Sequence, residues 1–285
     1  MAYAAMLPSP MALMHRLRRR ESRLPRSVSA ELEAELRSSL PWMYPWRLAP
    51  DVAVDLGDSE LPSIHATRAE MIEPVVRAAL AAAGPDATVL DLGCNEGWFA
   101  HRALEWGAAR VVGLDVREAN IRRATLLRRH FEIEPDRMQF EQANVLELDP
   151  ARLGTFDVVL VLGLIYHLEN PVGGLRVARA LARGTAVVES QLTAHDEPIR
   201  YGWGETGVFR SAPGHWAAFV EPADQQRDDG NPLASFGGIV SLIPNRTALL
   251  EAMEVAGMRD VRMLDAPAHL NPQYVEGHRG IAVGR

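Results

Sequence analysis

Apolar runs of strand length alternate with helix-like segments along residues 85–285. Five short, nearly continuous apolar runs predict buried strands, at 87–92, 110–116, 138–145, 156–164 and 185–190. Helical spacing lies between or after them, at 97–106, 118–130, 171–183 and 244–256. Two further runs, at 259–265 and 279–284, predict a C-terminal antiparallel pair. Because this alternation is typical of a parallel sheet covered by helices on both faces, we expect an α/β, Rossmann-like doubly wound sheet of seven strands, five of them parallel.

The first 84 residues follow a different pattern. Residues 1–27 collect arginines without apolar periodicity and predict a flexible basic arm, either a solvated tail or a nucleic-acid arm. Residues 28–84 predict a helical N-terminal cap, with helices at 28–40 and 64–83 around the Pro- and Trp-rich stretch 41–46. That stretch either caps its own domain or swaps onto a neighbouring copy, so a homo-oligomer stays open. Residues 85–285 form the main predicted domain.

Residues 191–243 lack clear periodicity and are rich in aromatic side chains. A stretch of this length inside a compact domain is typical of a functional lid. We predict an acceptor lid insert whose substrate-binding residues are Tyr201, Trp203, Trp216 and Phe219. The alternative is that these side chains pack the loop onto the edge of the sheet.

Composition and charge narrow the class of protein. The 285 residues carry a net charge of -7, and all thirty basic side chains are arginine. The single cysteine, Cys94, excludes an internal disulfide and a multi-cysteine zinc site and fits a reducing compartment. No apolar run reaches the ~18 residues of a membrane span, so we expect a soluble, cytoplasmic protein. His195, Asp196 and Glu197 could bind a divalent ion, but adjacent residues rarely converge on one metal, and we predict no metal site.

The loop between the first two predicted elements of the main domain carries candidate chemistry. It contains glycines at 93 and 97, which permit a tight turn and a helix start close to a ligand. The Gly-x-x-x-Gly spacing differs from the Gly-x-Gly-x-x-Gly of a dinucleotide site and so disfavours a dehydrogenase. Asp91 ends the first strand, and Asp115 ends the next strand 24 residues later, where a carboxylate can accept from ribose hydroxyls.

Residues 89–99, Val-Leu-Asp-Leu-Gly-Cys-Asn-Glu-Gly-Trp-Phe, resemble the first motif of the class I S-adenosylmethionine-dependent methyltransferases. The resemblance spans about residues 65–285 and includes 156–168, which look like the family's fourth strand and the following loop. One departure is Asn95, where the family often has glycine. Asparagine tolerates a positive φ better than other non-glycine residues, so the loop can still form.

A closer resemblance links Gly163-Leu164-Ile165-Tyr166-His167, Pro171, 187–189 and 242–258 to the tRNA wobble-uridine carboxymethyltransferase group. Its relatives include small-molecule methyltransferases, so the acceptor stays open. The resemblance implies S-adenosyl-L-methionine as cofactor. It also implies the cofactor-binding residues: Asp91 near the ammonium, Gly93, Asn95 and Gly97 along the methionine part, Asp115 on the ribose, Asn144 and Val145 around the adenine, and Gly163 at the methyl end.

The acceptor side is predicted from strand order. Tyr166 and His167 follow the fourth strand and Glu189 ends the fifth, so all three should face the cleft at the carboxyl edge of the sheet. They are the candidate catalytic residues. His167 is either a base or a hydrogen-bonding group of its loop. Glu189 is a base, an acceptor for the donor or a solvated strand end.

The leading hypothesis is methylation of a small, partly apolar biosynthetic molecule at oxygen, nitrogen or carbon. A minority version is C-methylation of an isoprenoid diphosphate held by arginines such as Arg200 or Arg210. The alternative is a tRNA-modifying methyl- or carboxymethyltransferase, although the negative charge disfavours a nucleic-acid partner. One predicted helix carries four arginines that form either a solvated face or a contact with RNA: Arg122, Arg123, Arg128 and Arg129. A binding protein without catalysis is the third class.

Overall fold

The computed structural model describes residues 24–38, 40–203, 208–221, 235–236 and 240–285. Most of the predicted basic arm, residues 1–23, lies outside the described residues. Among those described, no helix is both long and apolar enough to cross a membrane.

A seven-stranded sheet forms the centre of the molecule. Its strands are β3 (Thr88–Leu92), β4 (Arg110–Asp115), β5 (Met138–Gln142), β6 (Phe156–Leu162), β7 (Ala182–Gln191), β12 (Arg262–Met263) and β13 (Arg279–Gly284). They lie in the order β12-β13-β7-β6-β3-β4-β5. The strands β3 to β7 are parallel, and β13 runs antiparallel to both β7 and β12. The predicted doubly wound sheet with an antiparallel C-terminal pair is confirmed.

Helices connect the strands and cover both faces of the sheet. They are α1 (Ala30–Leu36), α2 (Leu61–Ala83), α3 (Trp98–Trp106), α4 (Glu118–His130), α5 (Pro150–Leu153), α6 (Pro171–Leu181), α7 (Arg246–Val255) and α8 (Pro272–Val275). Side-chain caps set several helix starts. The side-chain oxygen of Asn245 accepts from the Ala248 amide before α7, and that of Asn170 accepts from the Gly173 amide before α6.

Alternation along the strands divides the core into two clusters. Val89 packs into one cluster together with α2, α3 and the N-terminal segment, whereas its neighbour Leu90 packs into the other with α6 and α7. Successive strand side chains point to opposite faces, so a sheet covered on both sides needs apolar residues at nearly every position. This requirement explains the continuous apolar runs of the sequence.

Residues 29–54, called the N-terminal segment below, combine α1 with a short hairpin of β1 (Arg47–Ala49) and β2 (Val52–Ala53). The predicted helix at 28–40 is shorter than expected, because it begins after the Ser29 cap and ends at Leu36. The segment lies on its own chain, and Leu32, Trp46 and Leu48 are buried in the first cluster.

Residues 191–243, called the insert below, contain regular structure that the sequence did not predict. Strands β8 (Ile199–Trp203) and β9 (Val208–Ala212) form one antiparallel hairpin. Strands β10 (Trp216–Val220) and β11 (Val240–Pro244) pair antiparallel in a second two-stranded sheet. Small ribbons of this kind carry too few alternating positions to show a period in sequence.

Candidate active site

The loop that joins β3 to α3 lies at the carboxyl edge of the sheet. Gly93, Asn95 and Gly97 all have positive φ, at 70°, 51° and 80°. The amides of Gly93 and Cys94 both donate to the Leu114 carbonyl, at 2.8 and 2.9 Å. These bonds tie the loop to the end of β4. Asn95 accordingly adopts the left-handed conformation that the sequence pattern required of it.

Asp115 organises the mouth of this loop. Its Oδ2 accepts from the Asn95 amide at 2.9 Å, and its Oδ1 accepts from the Arg117 amide at 2.9 Å and from Asn120 Nδ2 at 3.1 Å. A carboxylate offers about four acceptor positions, so about one remains for a ligand hydroxyl. Burial raises the pKa of Asp115 above its ordinary value despite these three donors.

Asp91 lies behind the loop and is almost fully buried. Its Oδ2 has no hydrogen-bond partner among the described residues. Burial, assisted by the nearby negative charge of Asp115, raises the pKa of Asp91 to about 7. A buried carboxylate oxygen without a donor is costly and calls for a complementary group, such as the ammonium of a bound ligand.

A cavity opens beside Asp115 at the ends of β3, β4 and β6. The predicted site residues that line it are Gly93, Asn95, Asp115, Asn144, Val145, Gly163 and His167. The sequence did not single out Arg117, Asn120, Leu164, Leu168 and Phe236, which also line it. Asn120 lies on α4, five residues after Asp115. A polar residue at this distance from the carboxylate that ends β4 was the sequence signal that could have identified Asn120 as a second ligand contact.

Three predicted cofactor residues have environments that modify their expected roles. A side chain at Gly97 would meet Phe140 at 2.5 Å, so this glycine permits close packing of α3 on β5. A side chain at Gly163 would meet Arg68 Nη2 at 3.1 Å. Both polar ends of the Asn144 side chain are used locally, since it accepts from the Leu146 amide and donates to Glu147. One N–H and one lone pair of this amide remain, so a contact of Asn144 with an adenine can use its side chain or its backbone.

Glu189, a candidate base, is fully buried in an ion-pair network. Its Oε2 lies 3.0 Å from Arg68 Nη2, and its Oε1 lies 3.1 Å from Arg279 Nη1 and accepts from Tyr274 Oη at 2.7 Å. Burial opposes its charge, but the two guanidinium groups hold the pKa of Glu189 below its usual range. The reading of Glu189 as a solvated strand end is therefore wrong.

The network contains two arginines against one glutamate, which leaves one formal positive charge buried beside Gly163. Sequence reasoning missed Arg68, Arg279 and Tyr274. Arg68 lies on the buried face of α2 between Ile64 and Ile72, with a spacing of four residues on each side. A single arginine on such an apolar helical face was the signal that could have found it.

Tyr166 and His167 occupy a short 3₁₀ turn after β6, with ring centroids 4.4 Å apart. Tyr166 is buried, and its hydroxyl lies close to Gly163 and to Arg68. His167 lines the cavity, and its Nδ1 lies 3.2 Å from Ser235 Oγ in the insert. Burial lowers the pKa of His167 to about 4, so the ring is neutral at pH 7.

Three of the four aromatic residues predicted for the lid, Tyr201, Trp216 and Phe219, do not line the cavity. Tyr201 and Phe219 are exposed, and Trp216 is partly buried against the second core cluster. The side chain of Trp203 lies outside the described residues. Phe236 is the aromatic residue of the insert that reaches the cavity within the described part of the chain. The same part of the chain contains no group of three or more His, Cys, Asp or Glu side chains arranged for a metal ion.

Residues 83–200 match the sequence profile of a methyltransferase domain. This match, with the sheet order, confirms the predicted resemblance to the S-adenosylmethionine-dependent methyltransferases and the prediction of an enzyme. Asp115 lines the cavity, whereas Asp91 does not line it and lies directly before Leu92, which does; the two buried carboxylates fit a ligand that carries a ribose and an ammonium, as this cofactor does.

Two kinds of known protein are similar to this chain. The tRNA U34 carboxymethyltransferase of Pasteurella multocida is 27% identical over 190 residues, covering 66% of this chain and 50% of the relative. The enzyme of the same name from Helicobacter pylori is 29% identical over 122 residues, or 40% of this chain and 43% of the relative. The chain thus spans about half the length of the curated relatives it matches.

The structural comparison extends over more of the chain. The N-terminal domain of EvdMO1, crystallised in the presence of SAH and D-fucose, superposes with a TM-score of 0.63 at 20% identity. The match covers 90% of this chain and 97% of that one. At this identity the likeness establishes the methyltransferase fold and nothing about the acceptor.

Proposed function

We propose that the protein transfers the methyl group of S-adenosylmethionine to a small, partly apolar molecule. The observation that supports this most is the composition of the cavity. Its lining combines polar groups, among them Asp115 and Asn120, with the apolar side chains of Leu164, Leu168 and Phe236. Such a cavity can hold a nucleoside and an apolar acceptor side by side.

The chain's own residues divide the work of binding the cofactor. Asp115, fixed by three donors, keeps an acceptor position for a ribose hydroxyl. Asp91 supplies the buried carboxylate for the ammonium. Gly93 and Gly163 let the backbone approach closely, with φ of 70° and 73°. The backbone of Asn144 and Val145 borders the adenine, and Asn95 holds the loop in place through Asp115.

Methyl transfer from a sulfonium is an in-line displacement in which the cofactor supplies the reactive carbon. The protein's part is to hold the acceptor, exclude water and take up the proton that an oxygen or nitrogen nucleophile loses. His167 is the neutral side chain that lines the cavity with a pKa near 4. We therefore assign the proton-accepting role to His167.

Glu189 is better suited to positioning than to proton transfer. A base needs a free lone pair next to the acceptor, whereas Glu189 is fully buried and bonded to Arg68, Arg279 and Tyr274. It fixes the side chains around Gly163 and partly neutralises the two arginines. Tyr166, buried between this network and His167, orients the methyl end of the site.

The test is methyl transfer from a methyl-tritiated donor to a small-metabolite extract, followed by mass spectrometry for products heavier by one methyl group. Label in a small organic product with the wild-type protein, and its loss in the Asp115→Ala variant, would support the proposal. Asp136→Ala, which removes an exposed carboxylate from a loop before β5, is the matched control. Label recovered in RNA but not in small molecules would contradict it.

One observation favours a second candidate, transfer of a carboxymethyl group to tRNA. A carboxymethyl group carries a carboxylate where a methyl group carries none. Arg68, whose guanidinium lies next to Gly163, and Arg279 carry one positive charge more than Glu189 neutralises, which suits such a carboxylate. Donor affinity distinguishes the two: a carboxylated donor that binds more tightly than S-adenosylmethionine itself, with the preference lost in Arg68→Met, would favour the second candidate.

Surface charge disfavours that candidate. The four arginines considered as an RNA contact lie on α4, and three of them pair with glutamates of α1. Arg122 and Arg123 contact Glu35, and Arg129 contacts Glu31. Paired guanidinium groups have less charge to offer to phosphates. Filter binding of tRNA at low and high salt tests whether the protein binds tRNA. An interface with phosphates would give tight binding with a steep salt dependence.

A further inference from the structure

A buried carboxylate of the insert lies behind His167. Glu221 follows β10 and is only 6% exposed. Its two oxygens accept from the Ser235 amide at 2.9 and 3.0 Å, and its Oε1 also accepts from Ser241 Oγ at 3.0 Å. Although burial raises it, the hydrogen bonds from Ser235 and Ser241 hold the pKa of Glu221 below its ordinary value. The carboxylate is therefore ionised at neutral pH and acts only as an acceptor.

The direction of the remaining hydrogen bonds follows from this acceptor. Ser241 has one hydroxyl proton and directs it to Glu221. The Ser235 hydroxyl then has two acceptors within the insert, Ser241 Oγ at 3.0 Å and the Glu221 carboxylate itself, and in either case its proton is committed there. Ser235 Oγ, with its proton committed, can only accept from His167 Nδ1 at 3.2 Å. The proton of the neutral imidazole is thereby placed on Nδ1, and Nε2 carries the lone pair.

We propose that Glu221, Ser241 and Ser235 are positioning residues that hold His167 in the Nδ1–H tautomer, so that Nε2 is the proton acceptor of the site. The tautomer itself follows from the hydrogen bonds alone. Its use in catalysis rests on the proposed function. In that reaction, the acceptor's O–H or N–H bond breaks, its electron pair forms the bond to the methyl carbon, and the proton moves to Nε2.

The arrangement also balances the charge that this step creates. Protonation makes His167 a cation in a region that contains Arg117, Arg279 and Arg68, all of which oppose it, and Glu221, which favours it. The serine chain links that one carboxylate to the ring. Glu221, Ser235 and Ser241 all belong to the insert. The Nδ1–H tautomer of His167 therefore depends on the insert being packed in this position.

The tautomer can be tested without any acceptor, by two-bond nitrogen–proton correlation spectra of protein labelled with ¹⁵N-histidine. His167→Gln assigns the His167 signal among the nine histidines of the chain. We expect the Nδ1–H pattern in the wild-type protein. Ser235→Ala should shift the signal toward Nε2–H, and Ser235→Thr should restore it. Ser211→Ala, an exposed hydroxyl on β9, is the matched control. An Nε2–H signal in the wild-type protein, or no change in Ser235→Ala, overturns the proposal.

The catalytic consequence has its own readout. Ser235→Ala should lower kcat roughly 10- to 100-fold, less than the ~10²–10⁴-fold of a lost general base because the imidazole itself remains, and leave donor affinity unchanged. Thermal unfolding confirms that each variant is folded, and Ser235→Thr should recover most of the rate. Equal rates for Ser235→Ala and Ser211→Ala contradict the positioning role. If the wild-type protein transfers no methyl group, the proposed function fails, while the spectra still decide the tautomer.

Discussion

The N-terminal segment and the insert are both additions to the central sheet, and a buried glutamate takes part in the contacts of each with the central domain. Glu96 belongs to the donor loop and accepts from the Met43 amide at 2.8 Å and from Trp46 Nε1 at 3.0 Å. Glu221 belongs to the insert and reaches the central domain through Ser235 and His167. Glu96 is thus a residue of the donor loop that binds the N-terminal segment, whereas Glu221 is a residue of the insert that binds toward the central domain.

The N-terminal segment and the insert differ in the further contacts that surround these two glutamates. The N-terminal segment places large side chains in the core, and it is also held by Arg123, which donates to Glu35, to the carbonyls of Leu40 and Pro41, and to Ser38. The insert instead exposes Phe219 and Val220, by 53% and 66%. The donor side is therefore built into the stability of the fold, whereas the acceptor side depends on a few polar contacts.

The largest effect should come from Arg123→Met. This change leaves Glu96 and Glu35 without their shared guanidinium and removes the donor to the carbonyls of Leu40 and Pro41. Breaking a buried pair costs about 3–5 kcal/mol of unfolding free energy. Urea unfolding measures it. Arg122→Met, whose side chain is 55% exposed and contacts the same Glu35, should cost less than about 1 kcal/mol. Equal losses in the two variants would contradict the proposed role of Arg123.

Next in size is the loss of donor affinity in Asp115→Ala. Asp115 both holds the Asn95 amide and offers its free acceptor position to the ribose, so both contributions disappear together. We expect the Kd for S-adenosylmethionine to rise about 100-fold, since a charge-assisted hydrogen bond contributes ~1.5–3 kcal/mol. Calorimetry with the wild-type protein and Asp136→Ala provides the comparison. A change below threefold would mean that the donor binds elsewhere.

A smaller effect is the pH dependence of donor binding. Because burial raises the pKa of Asp91 to about 7, its carboxyl is mostly protonated at pH 6 and half ionised at pH 7. An ammonium needs the ionised form, so the Kd should fall about fivefold from pH 6 to pH 7. Asp91→Asn should remove this dependence in calorimetric titrations. A wild-type profile as flat as that of the variant would contradict the assignment.

The stability of the unliganded protein should change in the opposite direction. The folded state binds the Asp91 proton more tightly than the unfolded state, in which the carboxyl has its ordinary pKa near 4. The resulting stabilisation is fully present at acidic pH and is lost as the pH rises toward 7. Glu96, whose pKa burial also raises to about 7, titrates in the same window. The difference between wild type and Asp91→Asn isolates the contribution of Asp91.

The contrast between the two additions also explains what the sequence could predict. The strands and the ends at Asp91 and Asp115 were predictable, because burial on both faces imposes a continuous apolar pattern and ligands bind at the carboxyl edge of such a sheet. Glu189 was predicted to face the cleft, but it is fully buried and does not line the cavity, and its partners Arg68 and Arg279 are 121 and 90 residues away in sequence. The chain from Glu221 to His167 likewise depends on tertiary placement, which no local pattern encodes.

The smallest effect concerns the insert and compares two phenylalanines of similar exposure. Phe236 is 48% exposed and lines the cavity, whereas Phe219 is 53% exposed and does not. Neither is in the core, so each alanine variant should unfold within about 0.5 kcal/mol of wild type. Only Phe236→Ala should raise the acceptor KM, about three- to tenfold, because it removes apolar contact with the acceptor. Steady-state kinetics at saturating donor measures this. A similar rise for Phe219→Ala would show that the insert closes further over the site and would restore Phe219 as a substrate-binding residue.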